Sequence, residues 1–104
     1  MAKIKVRENI DLETGKKYHH TQYLYNCPGC GYEHAFSLKK DGGHHDFNMN
    51  LDNPTISPSL LQNFSKDRIC HSFIVDGKIQ YLNDCHHSLK GQTIELPDYK
   101  NEFN

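Results

Sequence analysis

Apolar and polar residues alternate along most of this chain, a pattern typical of half-buried β-strands. It covers residues 3–7, resumes over 18–26 up to the sequence C-P-G-C-G, and continues over 32–38 and 45–51. Two β-rich runs follow, joined by Asp76-Gly77, which suits a two-residue hairpin turn, and 93–96 forms a last strand. The sequence therefore predicts a mostly β, antiparallel fold with at most one short helix, within 83–90.

Two segments interrupt the alternation. Residues 8–17 are polar and contain a glycine, so a loop is expected there. Residues 53–61 contain Pro54 and Pro58, which lack a backbone N–H, so an extended, ordered loop is expected in place of a central strand.

Two serines flank Pro58 in this second segment. Ser57 and Ser59 lack the strand–turn–helix setting of a nucleophile elbow, which argues against a serine hydrolase. Their hydroxyl groups are expected to fix the loop by hydrogen bonds to the backbone.

The composition indicates a small domain with a thin core. The 104 residues are expected to form one domain over 1–104 with a loose tail at about 98–104. Hydrophobic residues make up only 36% of the chain and tryptophan is missing, so a bound metal would add usefully to stability.

The charge balance and hydropathy limit the partners of the protein. The formal net charge is −1, far from the basic balance that favours binding to phosphates. No segment approaches the roughly 20 apolar residues of a membrane span, and the basic N-terminus lacks the apolar run of a signal peptide. We therefore expect a cytoplasmic protein.

The four cysteines carry the clearest chemical signal. In a reducing compartment they are expected as thiolate ligands rather than disulfides. C-P-G-C-G at 27–31 is typical of a zinc knuckle, in which a tight turn directs Cys27 and Cys30 to one metal ion. Glycine in this motif allows backbone conformations that expose amides to the sulfur atoms.

Counting outward from the Asp76-Gly77 turn supplies two further ligands. Cys70 is paired with position 83, so Cys85 lies near it, and by strand parity the two thiols share one face. A site with four protein ligands has no open position for water and is normally structural. The sequence predicts a structural Zn²⁺ bound by Cys27, Cys30, Cys70 and Cys85 in a zinc-ribbon-like domain.

Histidines near the base of this hairpin leave two alternatives open. A bulge or helical turn after position 83 would bring His86 or His87 to the metal, giving a site of three cysteines and one histidine. His71 lies on the opposite face with Asp84, and an imidazole beside a carboxylate suits general acid/base chemistry. We favour histidines that cover the thiolates, with no catalytic residue. The alternative catalytic set is His71, Asp84, His87 and His34.

The motifs together resemble a known family. C-P-G-C-G, P-T-I-S-P-S-L and the segment from C-H-S-F-I-V-D-G-K to Q-T-I-E-L-P-D resemble small uncharacterised phage and bacterial proteins, over roughly 27–98. Some members carry the label ammonia monooxygenase, but nothing in this sequence indicates a membrane-embedded copper enzyme. The resemblance implies a phage or mobile-element protein, which would act in the host cytoplasm.

Three functions compete at this point. The leading hypothesis is a non-catalytic, zinc-stabilised phage accessory module that binds and modulates a host or defence protein. The second is a small metal-dependent hydrolase that uses the histidine and aspartate cluster. The third is a zinc-ribbon nucleic-acid-binding protein with a basic surface, which the charge balance disfavours. The candidate basic residues are Lys39, Lys40, Lys66 and Arg68.

Overall fold

The computed structural model describes residues 2–10, 13–15 and 17–100 and confirms the mostly β prediction. Within these residues, a three-stranded sheet has the order β1-β2-β3 and a five-stranded sheet the order β4-β5-β6-β7-β8, with antiparallel pairing throughout. A 3-10 turn at Lys39–Asp41 lies between the two sheets in the chain. The strands are β1 Lys5–Ile10, β2 Lys17–Cys27, β3 Tyr32–Ser37, β4 Asp46–Phe47, β5 Ile56–Ser65, β6 Arg68–Val75, β7 Lys78–Tyr81 and β8 Thr93–Glu95.

The first sheet carries the cysteine knuckle on the β2–β3 turn. Cys27, the last residue of β2, pairs with Tyr32 at the start of β3, so the knuckle lies between two strands as predicted. β1 reaches further into the predicted loop 8–17 than expected, since Ile10 pairs with Lys17. Residues 11, 12 and 16 of that loop lie outside the described residues.

The second sheet contains the predicted Asp76-Gly77 hairpin. Val75 pairs with Lys78 and Ile74 with Ile79, which confirms the predicted register. Asp76 and Gly77 have φ angles of 51° and 79°, the left-handed values that a type I′ turn needs. β7 ends at Tyr81, however, and residues 83–90 form turns and bends without a helix.

The largest difference concerns the segment 53–61, because the expected loop covers only 53–55 and was wrong for 56–61. β5 begins at Ile56 and includes Pro58. The register between β5 and β6 shifts between Ile56 and Leu60, so Ser57–Ser59 stand opposite Phe73 alone and form a β-bulge. At a bulge the missing N–H of Pro58 removes no required ladder bond.

The strand predicted over 45–51 is shorter than expected. Only Asp46–Phe47 pairs with β5. Beyond it, Asn48 Oδ1 accepts the N–H groups of Asn50 and Thr55, each at 3.1 Å. These local side-chain bonds replace the sheet ladder, as asparagine commonly does in turns.

The two sheets share one buried core. Tyr25, Tyr81 and Ile74 are almost fully buried within it. The chain returns along the first sheet, where the Lys100 N–H donates to Asn26 Oδ1 at 2.6 Å. The remainder of the predicted tail, 101–104, lies outside the described residues. Across the described ranges, no helix has the length and hydropathy needed to cross a membrane.

Candidate active site and metal centre

Three cysteines and one histidine converge where the two sheets meet. Cys27 and Cys30 come from the knuckle, Cys70 from β6, and His87 from the turns after β7. Their four ligand atoms all lie within 4.8 Å of one another. These residues can therefore hold a metal ion, and they tie the first half of the chain to the second.

The spacing of the ligand atoms fits tetrahedral zinc. With Zn–S bonds of about 2.3 Å and Zn–N bonds of about 2.05 Å, a tetrahedron requires about 3.8 Å between sulfurs and about 3.5 Å between sulfur and nitrogen. Cys27 Sγ and Cys70 Sγ are 3.8 Å apart, and Cys70 Sγ and His87 Nε2 are 3.5 Å apart. Three thiols with one imidazole are also a common zinc donor set.

The pKa shifts of the three thiols favour a single thiolate, on Cys27. The hydrogen bond from Cys70 lowers the pKa of Cys27 to about 3 against the opposing effect of burial. The same bond, together with burial, raises the pKa of Cys70. Tyr81 adds a hydroxyl group 3.1 Å from Cys27 Sγ, and this hydroxyl accepts the Gly29 N–H at 3.2 Å. Hydrogen bonds thus stabilise the Cys27 thiolate, and its negative charge disfavours ionisation of the neighbouring thiols.

Cys85, the fourth predicted ligand, forms hydrogen bonds with the backbone of His71. Its Sγ accepts the His71 N–H at 3.1 Å and donates to the His71 carbonyl oxygen at 3.0 Å. Cys85 is buried, and it is not a member of the group of potential ligands. His87, one of the two alternatives left open by the sequence, stands with the other three ligands in that group.

A second constellation lies beside the metal centre. Ser59 Oγ is 2.9 Å from His71 Nε2, and His71 Nδ1 is 3.1 Å from Asp84 Oδ2. The side chains of His71 and Asp84 are 25% and 53% exposed, so the group is open to solvent. A hydroxyl, an imidazole and a carboxylate in this sequence of contacts form the arrangement of a Ser-His-Asp catalytic triad.

The strand register explains how these three residues meet. Leu61 of β5 pairs with His71 of β6, and two residues earlier Ser59 stands at the end of the bulge. Bulges re-aim side chains and are frequent next to active sites. Asp84 lies in the turn that begins after β7, and this turn brings its carboxylate to His71.

The histidines of the alternative catalytic set do not converge. His71 contacts Ser59 and Asp84, whereas His87 joins the thiols. His34 is buried and packs edge-on against Tyr25 and Tyr32. Of the predicted cluster, His71 and Asp84 contact each other, His87 is a potential metal ligand, and His34 is buried in the core.

Ser59 is the member of this constellation that sequence reasoning did not include. The available signal was a second hairpin, since the turn at Lys66-Asp67 joins β5 to β6 and places Ser59 within reach of His71. That signal depends on a strand that continues through Pro58. Because Pro58 was expected to interrupt the strand, the sequence analysis did not predict this hairpin.

A comparison with protein-family models matches residues 4–82 to BubE, described as a bacterial ubiquitination-like system serine protease. No curated protein and no solved structure matches the chain. The matched range includes Ser59 and His71 and ends two residues before Asp84. The family description concerns a bacterial system; a phage origin and the binding of a host protein stay predictions.

Proposed function

We propose, from the premise that this chain belongs to the BubE family of bacterial ubiquitination-like system serine proteases, that it is a protease with Ser59 as its nucleophile. The observation that carries the proposal is the continuous contact from Ser59 through His71 to Asp84. It replaces our expectation that Ser59 merely fixes a loop. Its substrates are polypeptides of a ubiquitination-like system.

The hydrogen-bond geometry assigns the proton transfers. Asp84 Oδ2 accepts the Nδ1 proton of His71, so Nε2 is left to accept the hydroxyl proton of Ser59. When Ser59 Oγ attacks the peptide carbonyl carbon, Nε2 takes that proton and passes it to the leaving amine. The resulting ester on Ser59 is hydrolysed by water, whose proton passes through the same nitrogen.

The Asp84→Asn variant tests this proton path. An amide can present its NH₂ group to His71 and stabilise the wrong tautomer, so we expect kcat for peptide hydrolysis to fall about 10⁴-fold. Asp67→Asn is the matched control, because Asp67 lies on the exposed β5–β6 turn. Equal activity of the two variants in a fluorogenic peptide assay would remove Asp84 from the mechanism.

We further propose that the metal is structural zinc, bound by Cys27, Cys30, Cys70 and His87. The sulfur and nitrogen spacings support zinc, and four protein ligands leave no position for a substrate or water. The zinc site and the triad are adjacent along the chain, since Cys70 precedes His71. Zinc therefore holds the base in place without entering the chemistry.

Cys85→Ala tests whether Cys85 is a zinc ligand. Because Cys85 bonds the backbone of His71, we expect the variant to keep one zinc per chain, measured by elemental analysis. It should lose about 1–3 kcal/mol of unfolding free energy in urea, since the His71 amide is left without its partner. Cys85→Ser supplies a shorter donor and acceptor and should lose less. A zinc-free Cys85→Ala protein would favour the four-cysteine site.

A further inference from the structure

A groove runs between the two sheets beside Ser59. It has a volume of about 390 Å³, and its walls include Ala35 and Ser37 of β3, the Gly42-Gly43 turn, and Leu61 of β5. Ligand pockets typically have volumes of about 300–1,000 Å³. Building on the proposed protease function, we propose that this groove binds an extended peptide segment of the substrate, which adds to the outer edge of β5 as a further strand.

The outer edge of β5 is available for such an addition. β4 pairs with β5 only at Ile56 and Ser57. From Ser59 onward, no described strand covers the side of β5 that faces away from β6. Peptides commonly bind proteins by extending an open sheet edge, where main-chain hydrogen bonds provide affinity.

The direction of the backbone N–H and C=O of His71 determines that of Leu61, its partner on β5. The His71 N–H and C=O face the β7 side, where they bond Cys85 Sγ and the Leu82 N–H. In an antiparallel pair, two opposite residues either exchange both bonds or both turn them outward. Since Leu61 is opposite His71, the N–H and C=O of Leu61 face the groove.

A hydrogen bond to the Ser59 carbonyl independently indicates that the backbone groups of Ser59 and Leu61 face the groove. The carbonyl oxygen of Ser59 accepts a hydrogen bond from His45 Nε2 at 3.1 Å, across the outer edge of β5. Residues two apart in a strand turn their backbone groups to the same side. The backbone groups of Ser59 and Leu61 thus face the groove together. A peptide strand bound along this edge would lie next to Ser59, the proposed nucleophile.

The opposite wall is also a strand edge. The Ala35 carbonyl oxygen accepts a bond from Gln62 Nε2 at 3.4 Å, and the Ser37 carbonyl oxygen accepts the N–H groups of His44 and His45 at 3.2 Å each. These carbonyls therefore point away from β2 and toward the groove. Both carbonyls already have partners, so the edge left for a ligand is that of β5 at Leu61, and the ligand class that fits this edge is an extended peptide.

A scan of substrate backbones tests the groove without altering the protein. The probe is acetyl-tetra-alanine 4-nitroanilide, with N-methylalanine placed at each of its four positions in turn. Since alternate residues of a strand face one edge, methylation should raise KM about fivefold or more at alternate positions, as expected for one lost hydrogen bond. A uniform response along the peptide, or none, would overturn the proposal.

A variant of Leu61 adds a test from the side of the enzyme. Leu61→Pro removes one N–H that faces the groove and no bond to β6. Its kcat/KM for the anilide should fall about fivefold more than its kcat/KM for 4-nitrophenyl acetate, whereas Leu61→Ala should show equal changes on both substrates. Equal changes in Leu61→Pro would contradict the added strand. Lack of ester hydrolysis by the unaltered protein would instead contradict the triad.

Discussion

The Ser59→Ala variant is expected to lose at least about 10⁴-fold in kcat for peptide hydrolysis, because it removes the atom that forms the acyl intermediate. His71 Nε2 then has no hydroxyl proton to accept. The loss of a single hydroxyl on a half-buried residue should leave the fold intact, so the melting temperature should change little. Activity is measured with a fluorogenic peptide and folding by circular dichroism.

Ser57→Ala is the matched control for this experiment. Ser57 lies on the other side of Pro58 in the same bulge and is exposed. It makes no contact with His71 in the described structure, so the variant should retain activity. If Ser57→Ala is as inactive as Ser59→Ala, the effect belongs to the bulge rather than to the nucleophile.

Loss of the metal should have the largest effect on folding. Zinc binding to small structural sites contributes about 10–16 kcal/mol, comparable to the entire stability of an ordinary domain of about 5–15 kcal/mol. Treatment with a strong chelator is therefore expected to unfold the domain, because an ion bound by Cys27 and Cys70 would join the two sheets. Addition of zinc after removal of the chelator should restore the native spectrum.

Two histidine variants test whether His87 is one of the metal ligands. His87→Ala should lower zinc affinity strongly and reduce thermal stability, because it opens the coordination shell. His44→Ala changes an exposed histidine that is not part of the ligand group, so zinc content should remain at one per chain. A His87→Ala protein with full zinc content and unchanged melting temperature would show that His87 is not a ligand.

Local sequence signals were sufficient for much of the fold. The Asp76-Gly77 turn determines the β6–β7 register because only left-handed conformations fit a two-residue hairpin. The C-P-G-C-G knuckle predicted the proximity of Cys27 and Cys30 for a similarly local reason. The bulged strand β5 was missed because pairing with β6 overrides the preference of Pro58, and such pairing depends on residues distant from it.

Strand counting alone could not locate Cys85 and His87 relative to the other thiols. Parity places Cys70 and Cys85 on one face only while the β-structure continues, and β7 ends at Tyr81. The turns that follow direct Cys85 to the His71 backbone and His87 to the thiols. A sequence can specify which residues are candidates, but the path of an irregular segment decides among them.

The proposed triad also differs in chain order from well-known serine hydrolases. The proposed nucleophile, base and orienting carboxylate follow one another as Ser59, His71 and Asp84, an order different from those of chymotrypsin, subtilisin and the α/β-hydrolases. A motif search based on those enzymes therefore carries no information here. Only the pairing of Leu61 with His71 brings the serine to the imidazole.

A single labelling experiment tests the central claim, that Ser59 is an activated nucleophile. The native, zinc-loaded protein is treated with a fluorophosphonate probe, which phosphonylates an activated serine with release of fluoride, and the modified residue is located by peptide mass spectrometry. We predict one adduct, on Ser59, that is lost in His71→Ala and retained in Ser57→Ala. An adduct on another residue, or none on folded protein, would contradict the assignment.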